Sequence, residues 1–274
     1  MPVNLMPTPY LMPQPVLTFY TLSPSVTAFS TTRHGGFSQG AYGEFNINRY
    51  CGDDEDCVNS NLETLGRTLG ISPNAIIMPH QTHGNEVRLI AKDFLSLPET
   101  VKNMVLEGVD ALITDVRNIC IGVSTADCIP ITIYDPEHNT SAAVHAGWRG
   151  TVKLIAQKAV SAMHTAYGSR PDKLLAAIGP GISLDAFEVG DEVYDEFSAA
   201  SFDMEAISLR KEKWHIDLKE CNRRLLVASG LRPENITVSP VCTYSNSSDY
   251  FSARRLGTAS GRIYTGIMLK QCRS

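Results

Sequence analysis

A thiol and an imidazole can share a metal ion or a proton only where folding sets them side by side. One stretch of this sequence does so through strand geometry alone. Residues 120–151 read CIGVSTADCIPITIYDPEHNTSAAVHAGWRGT. Two apolar runs flank the turn-rich hexapeptide DPEHNT, which is the pattern of a β-hairpin. A four-residue loop at 136–139 places Cys128 and His145 one pair out of step, and a loop of only Pro136 and Glu137 places them directly opposite. In either register both lie on one face of the sheet. Facing Cβ atoms there are roughly 4.5–5.5 Å apart.

A catalytic metal needs a third protein ligand. Pro79-His80-Gln81-Thr82-His83-Gly84 offers two histidines in a polar patch between apolar runs, and spacing does not choose between them. One of these with Cys128 and His145 makes an N/N/S set with a fourth position left for water, the pattern of catalytic zinc. Zinc would deprotonate the thiol and bring its water toward neutrality. A buried Cys facing a His can also be ordinary core, but the flanks argue for more. Asp127 puts a carboxylate beside Cys128, and Gly147-Trp148-Arg149-Gly150 is a glycine-bearing loop between a strand and a helix. Such a loop exposes backbone N–H groups where anions bind.

Other polar segments are candidates for holding an anion or moving a proton. Thr31-Thr32-Arg33-His34-Gly35-Gly36 precedes Glu44 and Asn46, and Arg33 there suits phosphate or carboxylate capture. Gly179-Pro180-Gly181 is a tight turn, followed by Glu188 and Asp191 as acid/base candidates. Ser252-Ala253-Arg254-Arg255 adds cationic groups near the end of the chain. Each has a plainer reading as a solvated surface charge or a helix-end charge.

These groups need a scaffold. Strands are expected at Val26–Ser30, Ala75–Met78, Glu86–Ile90, Ala111–Thr114, Cys120–Ser124, Pro130–Tyr134, Ser141–His145, Leu174–Ile178, Ile236–Val241 and Tyr264–Met268. Helices are expected at Val58–Leu69, Thr151–Tyr167, Asp191–Phe197 and Leu218–Ser229, with Val101–Glu107 an amphipathic connection. Close-set strands alternating with longer helices indicate a single-domain α/β sandwich with a mixed sheet and flanking helices, not a purely parallel one. Six of the fifteen prolines fall in the first 24 residues, so 1–16 is expected to be an extended arm and 17–274 the catalytic domain.

The net charge of -5, with no basic block, argues against nucleic acid as a partner. No apolar run approaches the roughly 18 residues of a membrane span. The N-terminus carries no Lys or Arg ahead of an apolar core, so a cytoplasmic location is expected. Seven irregularly spaced cysteines argue against a disulfide framework.

The motifs HQTHGNEV (80–87), GVDALITD (108–115), STADCIPITIYD (124–135), AAVHAGWRGT (142–151), IGPGI (178–182) and FSARRLGTASGR (251–262) stand in one order with TTRHGGFSQG (31–40) and FNIN (45–48). In this the chain resembles the YfiH-like family, also called the laccase-domain or polyphenol oxidase family, over nearly its whole length after the proline arm. The resemblance implies an α/β sandwich similar to cysteine deamidase toxin folds. It implies purine nucleoside phosphorylase activity, with adenosine deaminase and methylthioadenosine phosphorylase activities. It also implies a zinc site at His83, Cys128 and His145, choosing His83 over His80. Two segments depart from the family pattern. Leu184-Asp185-Ala186-Phe187-Glu188-Val189 stands where paired cysteines and an aromatic residue are common, and Ser252-Ala253-Arg254-Arg255-Leu256-Gly257 stands for S-[HY]-R-R-D-G.

The expected reaction is zinc-dependent phosphorolysis of adenosine, inosine and related purine nucleosides, so the partners are a small nucleoside and phosphate. Arg33, Asn46, Arg149, Gly147 and Gly150 are the expected substrate and phosphate contacts. Asp127 is the first choice of general acid and Glu188 the second. An activated water on the metal would account for deamination at C6. One rival is a metal-free cysteine hydrolase with Cys128 as nucleophile and His145 as base. Another is a non-catalytic nucleotide-binding protein. Copper-dependent phenol oxidation fits poorly, since the seven histidines contain no His-x-His pair, although copper can enter an N/N/S site.

Overall fold

The structure is a computed structural model and describes residues 13–271. The proline-rich arm up to Met12, and Cys272, lie outside the described residues. The strands are β1 (Leu17–Tyr20), β2 (Val26–Thr31), β3 (Ile76–Ile77), β4 (Val87–Leu89), β5 (Ala111–Thr114), β6 (Cys120–Thr125) and β7 (Ile129–Asp135). They continue with β8 (Thr140–Ala146), β9 (Leu175–Ile178), β10 (Glu188–Val189), β11 (Ser208–Arg210), β12 (Trp214–Ile216), β13 (Ile236–Val238) and β14 (Ile263–Leu269). The α-helices are α1 (Glu55–Leu69), α2 (Glu99–Leu106), α3 (Trp148–Val152), α4 (Ile155–Tyr167), α5 (Asp191–Ala199), α6 (Met204–Ile207), α7 (Leu218–Ala228) and α8 (Ala253–Leu256).

Strand alternation sorts the side chains into layers. A five-stranded sheet, β1-β2-β14-β6-β3, faces a six-stranded sheet, β13-β9-β7-β8-β5-β4. Val26, Ala28, Val123 and Ile267 of the first meet Leu112, Tyr134 and Ala143 of the second in one core. The opposite face of the six-stranded sheet, with Ile113, Ile131 and Val144, packs on Ile155, Ala159 and Met163 of α4 and on Leu225 and Leu226 of α7. The outer face of the five-stranded sheet is covered by Val58, Leu62 and Leu65 of α1, apolar at i, i+4 and i+7. The two main sheets mix parallel and antiparallel neighbours, as the close-set strands indicate. At Gly122 a Cβ would sit 2.2 Å from the Tyr264 ring, so the sheet closes there only around a bare backbone.

Sequence and structure part company at several places, β1 among them, since no strand was expected at Leu17–Tyr20. The helix expected over 151–167 is two helices, because Leu154 adopts a left-handed φ of 61°. Asn85 donates to the Lys153 carbonyl, and the buried Thr151 accepts from Asn222, so tertiary contacts end α3 where side-chain periodicity would continue it. Val101–Glu107 belongs mostly to α2. The small sheet β10-β12-β11 was not expected, since its strands are only two or three residues long and carry no clear alternation. No described helix is long and apolar enough to cross a membrane.

Candidate metal centre

The centre forms where the chain steps from one main sheet to the other. β6 ends at Thr125 in the five-stranded sheet and β7 starts at Ile129 in the six-stranded sheet. Asp127 makes the turn with φ at 86°, a left-handed value that Asp tolerates better than most residues. Its carboxylate fixes that turn by accepting from the Thr243 hydroxyl at 2.7 Å and from the Arg254 N–H at 2.7 Å. Cys128 follows at once. Across the hairpin His145 pairs with Pro130, which is the register of the four-residue loop. Cys128 is therefore one pair out of step with His145, on the same face, and that face is the one between the two sheets.

The third group arrives on the loop before β4. Gln81 donates to the Ser124 carbonyl at 2.9 Å and accepts from the Ser124 N–H at 2.7 Å, so the loop is pinned to the end of β6. His83 has φ at 59°, and its N–H donates to Asp110 at 3.1 Å. His83, Cys128 and His145 each present a ligand atom, and these lie within 4.8 Å of one another. His80, the alternative from the same loop, is not part of that cluster.

Asp110, just ahead of β5, organises the group. One carboxylate oxygen accepts from His145 Nδ1 at 2.7 Å, and the other accepts from the Gly84 N–H at 2.6 Å. The Asp110 carbonyl accepts from the His145 N–H at 2.8 Å. With Nδ1 engaged, Nε2 is the nitrogen His145 offers to the centre. Burial works against the Asp110 carboxylate, but these hydrogen bonds hold it below the usual carboxylate range. Burial pushes the Cys128 thiol up, yet the adjoining His145 and His83 rings hold it well below the ordinary thiol range. Burial opposes a charged His145, while the Cys128 sulfur and Asp110 hold the imidazole well above its usual value. The protein environment thus favours a thiolate, the form that binds metal or attacks carbon.

Gly147 leaves the room this cluster needs. A Cβ there would stand 3.0 Å from Cys128 Sγ and 3.2 Å from the His83 ring. Gly147→Ala is expected to fold and to lose metal affinity by about tenfold or more, the scale of other changes around metal ligands. Titration with a competing chelator measures this, and wild-type affinity would refute it.

A cleft of about 370 Å³ opens at these atoms, with Tyr50, Cys51, His80, Gln81, Ser124 and Arg262 among its walls. Several residues singled out from sequence stand elsewhere. Asp127, expected as an acid beside the metal, turns its carboxylate away to Thr243 and Arg254. Glu188 lies on β10, paired with Lys213 at 2.9 Å, and does not line the cleft. Arg33 donates to the carbonyls of Gly43 and Ser247 and lies over the Phe251 ring, so it ties its own loop to the 247–251 segment and does not line the cleft. Asn46 is fully buried and bonds Asp53 and the Arg262 N–H, so it shapes the wall from behind. Arg149 is exposed over the Trp148 ring, and Gly150 packs near the Gly84 carbonyl. Sequence reasoning missed Asp110. Its one signal was an acidic residue opening the apolar run ALIT.

Comparison with known proteins gives the arrangement a context. Residues 27–270 match the family described as multi-copper polyphenol oxidoreductase laccase. The chain is 43% identical over 248 residues to a purine nucleoside phosphorylase of Bacteroides thetaiotaomicron, covering 89% of this chain and 92% of that protein. It is 44% identical over 248 residues to adenosine deaminase RL5 of an unknown prokaryotic organism, covering 89% of this chain and 94% of that protein. Among solved structures, the YfiH hypothetical protein of Bacillus licheniformis superposes with a TM-score of 0.83 at 30% identity, covering 92% of this chain and 99% of that one. YlmD of Geobacillus stearothermophilus does so with a TM-score of 0.84 at 28% identity, covering 92% and 94%. The chain therefore belongs to the family described as multi-copper polyphenol oxidoreductase laccase, together with these YfiH and YlmD proteins.

Proposed function

We propose that this protein is a zinc-dependent purine nucleoside phosphorylase with adenosine deaminase side activity. The observation that carries the reading is the convergence of His83, Cys128 and His145 in the wall of one cleft. Relatives of 43% and 44% identity that are named purine nucleoside phosphorylase and adenosine deaminase support it.

The residues fit zinc by their donor chemistry. Two imidazoles and one thiol, held low by its neighbours, form a three-ligand set, and Asp110 orients one of the rings. Bound zinc would supply a Lewis acid and an activated water. Copper is the other metal this set accepts, but among the described residues it is the one such cluster, and multicopper oxidation needs several.

The chain's own residues then position the substrate. Gly147 and Gly150 bring backbone close to the cluster, and Arg149, between them in sequence, is exposed over the Trp148 ring with no carboxylate partner among the described residues. Arg262 lies on the cleft wall, and its guanidinium bonds only carbonyls and a hydroxyl of its own segment. These groups are our candidates for holding phosphate, where placement and charge neutralisation supply much of the rate.

One observation favours a second reading. Cys128, His145 and Asp110 stand as nucleophile, base and orienting acid, the order used by thiol hydrolases. Incubation of purified, metal-analysed protein with inosine, with and without phosphate, separates the two. The phosphorylase reading expects near-stoichiometric zinc, and hypoxanthine with ribose 1-phosphate only when phosphate is present. Zinc-loaded protein that releases no base, or releases it without phosphate, overturns that reading.

A further inference from the structure

The cleft described above holds the His83, Cys128 and His145 side chains and one cationic wall residue, Arg262, but the residues expected to act as its acid point elsewhere. Departure of a purine from C1′ leaves an electron pair on the ring, and a neutral leaving group needs a proton. Asp127 is bound to Thr243 and Arg254, and Glu188 lies outside the cleft. Among the remaining cleft walls, amides, hydroxyls and a guanidinium are poor proton donors near neutral pH. Cys51 spends its S–H on the Asn48 carbonyl. His80 is the exception, and its ring is oriented by a carboxylate and an aromatic neighbour.

Three contacts fix the His80 ring. Its backbone is stitched to the C-terminal end of α2 and the residues just after it, with the His80 N–H donating to the Leu106 carbonyl and the Gly108 N–H donating to the His80 carbonyl, both at 3.0 Å. That bridge sets Glu107 beside the ring, and Nδ1 lies 2.9 Å from both Glu107 carboxylate oxygens. Tyr50 stacks on the ring at 4.3 Å between centroids and 28° between planes. Arg49 and Glu99 are the other charged groups close to Tyr50 on that side, and Arg262 faces from the cleft wall. Nδ1 is thus taken by a carboxylate, and Nε2 is the free nitrogen of a ring that lines the cleft with His83, Cys128 and His145.

We propose that His80, oriented by Glu107 and backed by Tyr50, is the general acid that protonates the departing purine. The inference rests on the phosphorylase reading and adds a residue to it. In the step, the C1′–N9 bond breaks and its electron pair goes to the purine. The Nε2 proton passes to a purine ring nitrogen as a phosphate oxygen bonds C1′. The proton carried by the hydrogen phosphate ion then returns to His80, so ribose 1-phosphate and neutral purine leave with the ring reset. Glu107 does not line the cleft and acts as a positioning residue, stabilising the charged ring.

The test compares inosine with 7-methylinosine, whose base is already cationic and departs without a proton. His80→Gln is expected to lower kcat on inosine by about 10²-fold or more, with kcat on 7-methylinosine and zinc content near wild type. Glu107→Gln should show a smaller loss in the same pattern, and it serves as the second variant if His80→Gln folds poorly. Equal loss on both substrates, or no loss on inosine, overturns the assignment of His80. Wild-type protein that phosphorolyses neither nucleoside overturns the underlying reading and this inference with it.

Discussion

Cys128→Ala is expected to abolish stable zinc binding and to lower phosphorolysis of inosine by about 10³-fold or more. The estimate follows from the several kcal/mol of charge stabilisation that a Lewis acid contributes, at about 1.4 kcal/mol per tenfold in rate. The substitution removes the only sulfur of the three ligand atoms that lie within 4.8 Å of one another. Two imidazoles alone make a weak and poorly closed site. The fold should survive, because Cys128 lies at a strand end and not in the sheet core. The thiol-nucleophile reading also expects loss of activity in this variant, so the decisive comparison is with chelator-stripped wild type. If metal does the work, stripped protein with its thiol intact is inactive and recovers when zinc is added. Full activity in the stripped protein, or in Cys128→Ala, would refute the zinc mechanism. Activity assays with elemental analysis on the same samples read both outcomes.

That experiment addresses the part of the site most legible in the sequence. Hairpin parity alone put Cys128 and His145 on one face, whichever loop length applied, because side chains alternate along strands. The choice between His80 and His83 was not legible from spacing. It depends on the left-handed turn at His83 and on Gln81 gripping Ser124, both set by tertiary contacts. Asp127 shows the opposite failure. A carboxylate next to a ligand in sequence looks like a proton donor, but the backbone turn that aims Cys128 at the centre aims Asp127 out of it. Asp110 is far from both histidines along the chain, and no local pattern marks it as their partner. The main strands were legible because their burial is continuous or alternating. The break at Leu154 was hidden because the apolar spacing of Val152, Ile155 and Ala159 runs straight through it.

Asp110 is also where the second large effect is expected. In Asp110→Ala the His145 ring loses the acceptor at Nδ1, and the N–H groups of His83 and Gly84 lose theirs. Two of the three ligands are thereby released from their orientation. Zinc affinity should fall by about 10–100-fold, the usual cost of removing a partner of a metal-bound histidine. The metal-free protein should also lose about 1–3 kcal/mol of stability, the cost of leaving the buried His145 donor unpaired. Asp110→Asn retains an acceptor oxygen but turns an N–H2 toward one of the donors, so it should fall between the two. The pH dependence has a definite sign. Asp110 is held below its unfolded value, so its contribution to stability is present above the unfolded carboxylate pKa of about 3.9 and is lost as pH falls toward the folded value. Metal-free wild type should therefore lose denaturant resistance below about pH 4 more steeply than Asp110→Ala. Parallel unfolding midpoints across that range for the two proteins, together with unchanged zinc affinity, would show that Asp110 does not organise the centre.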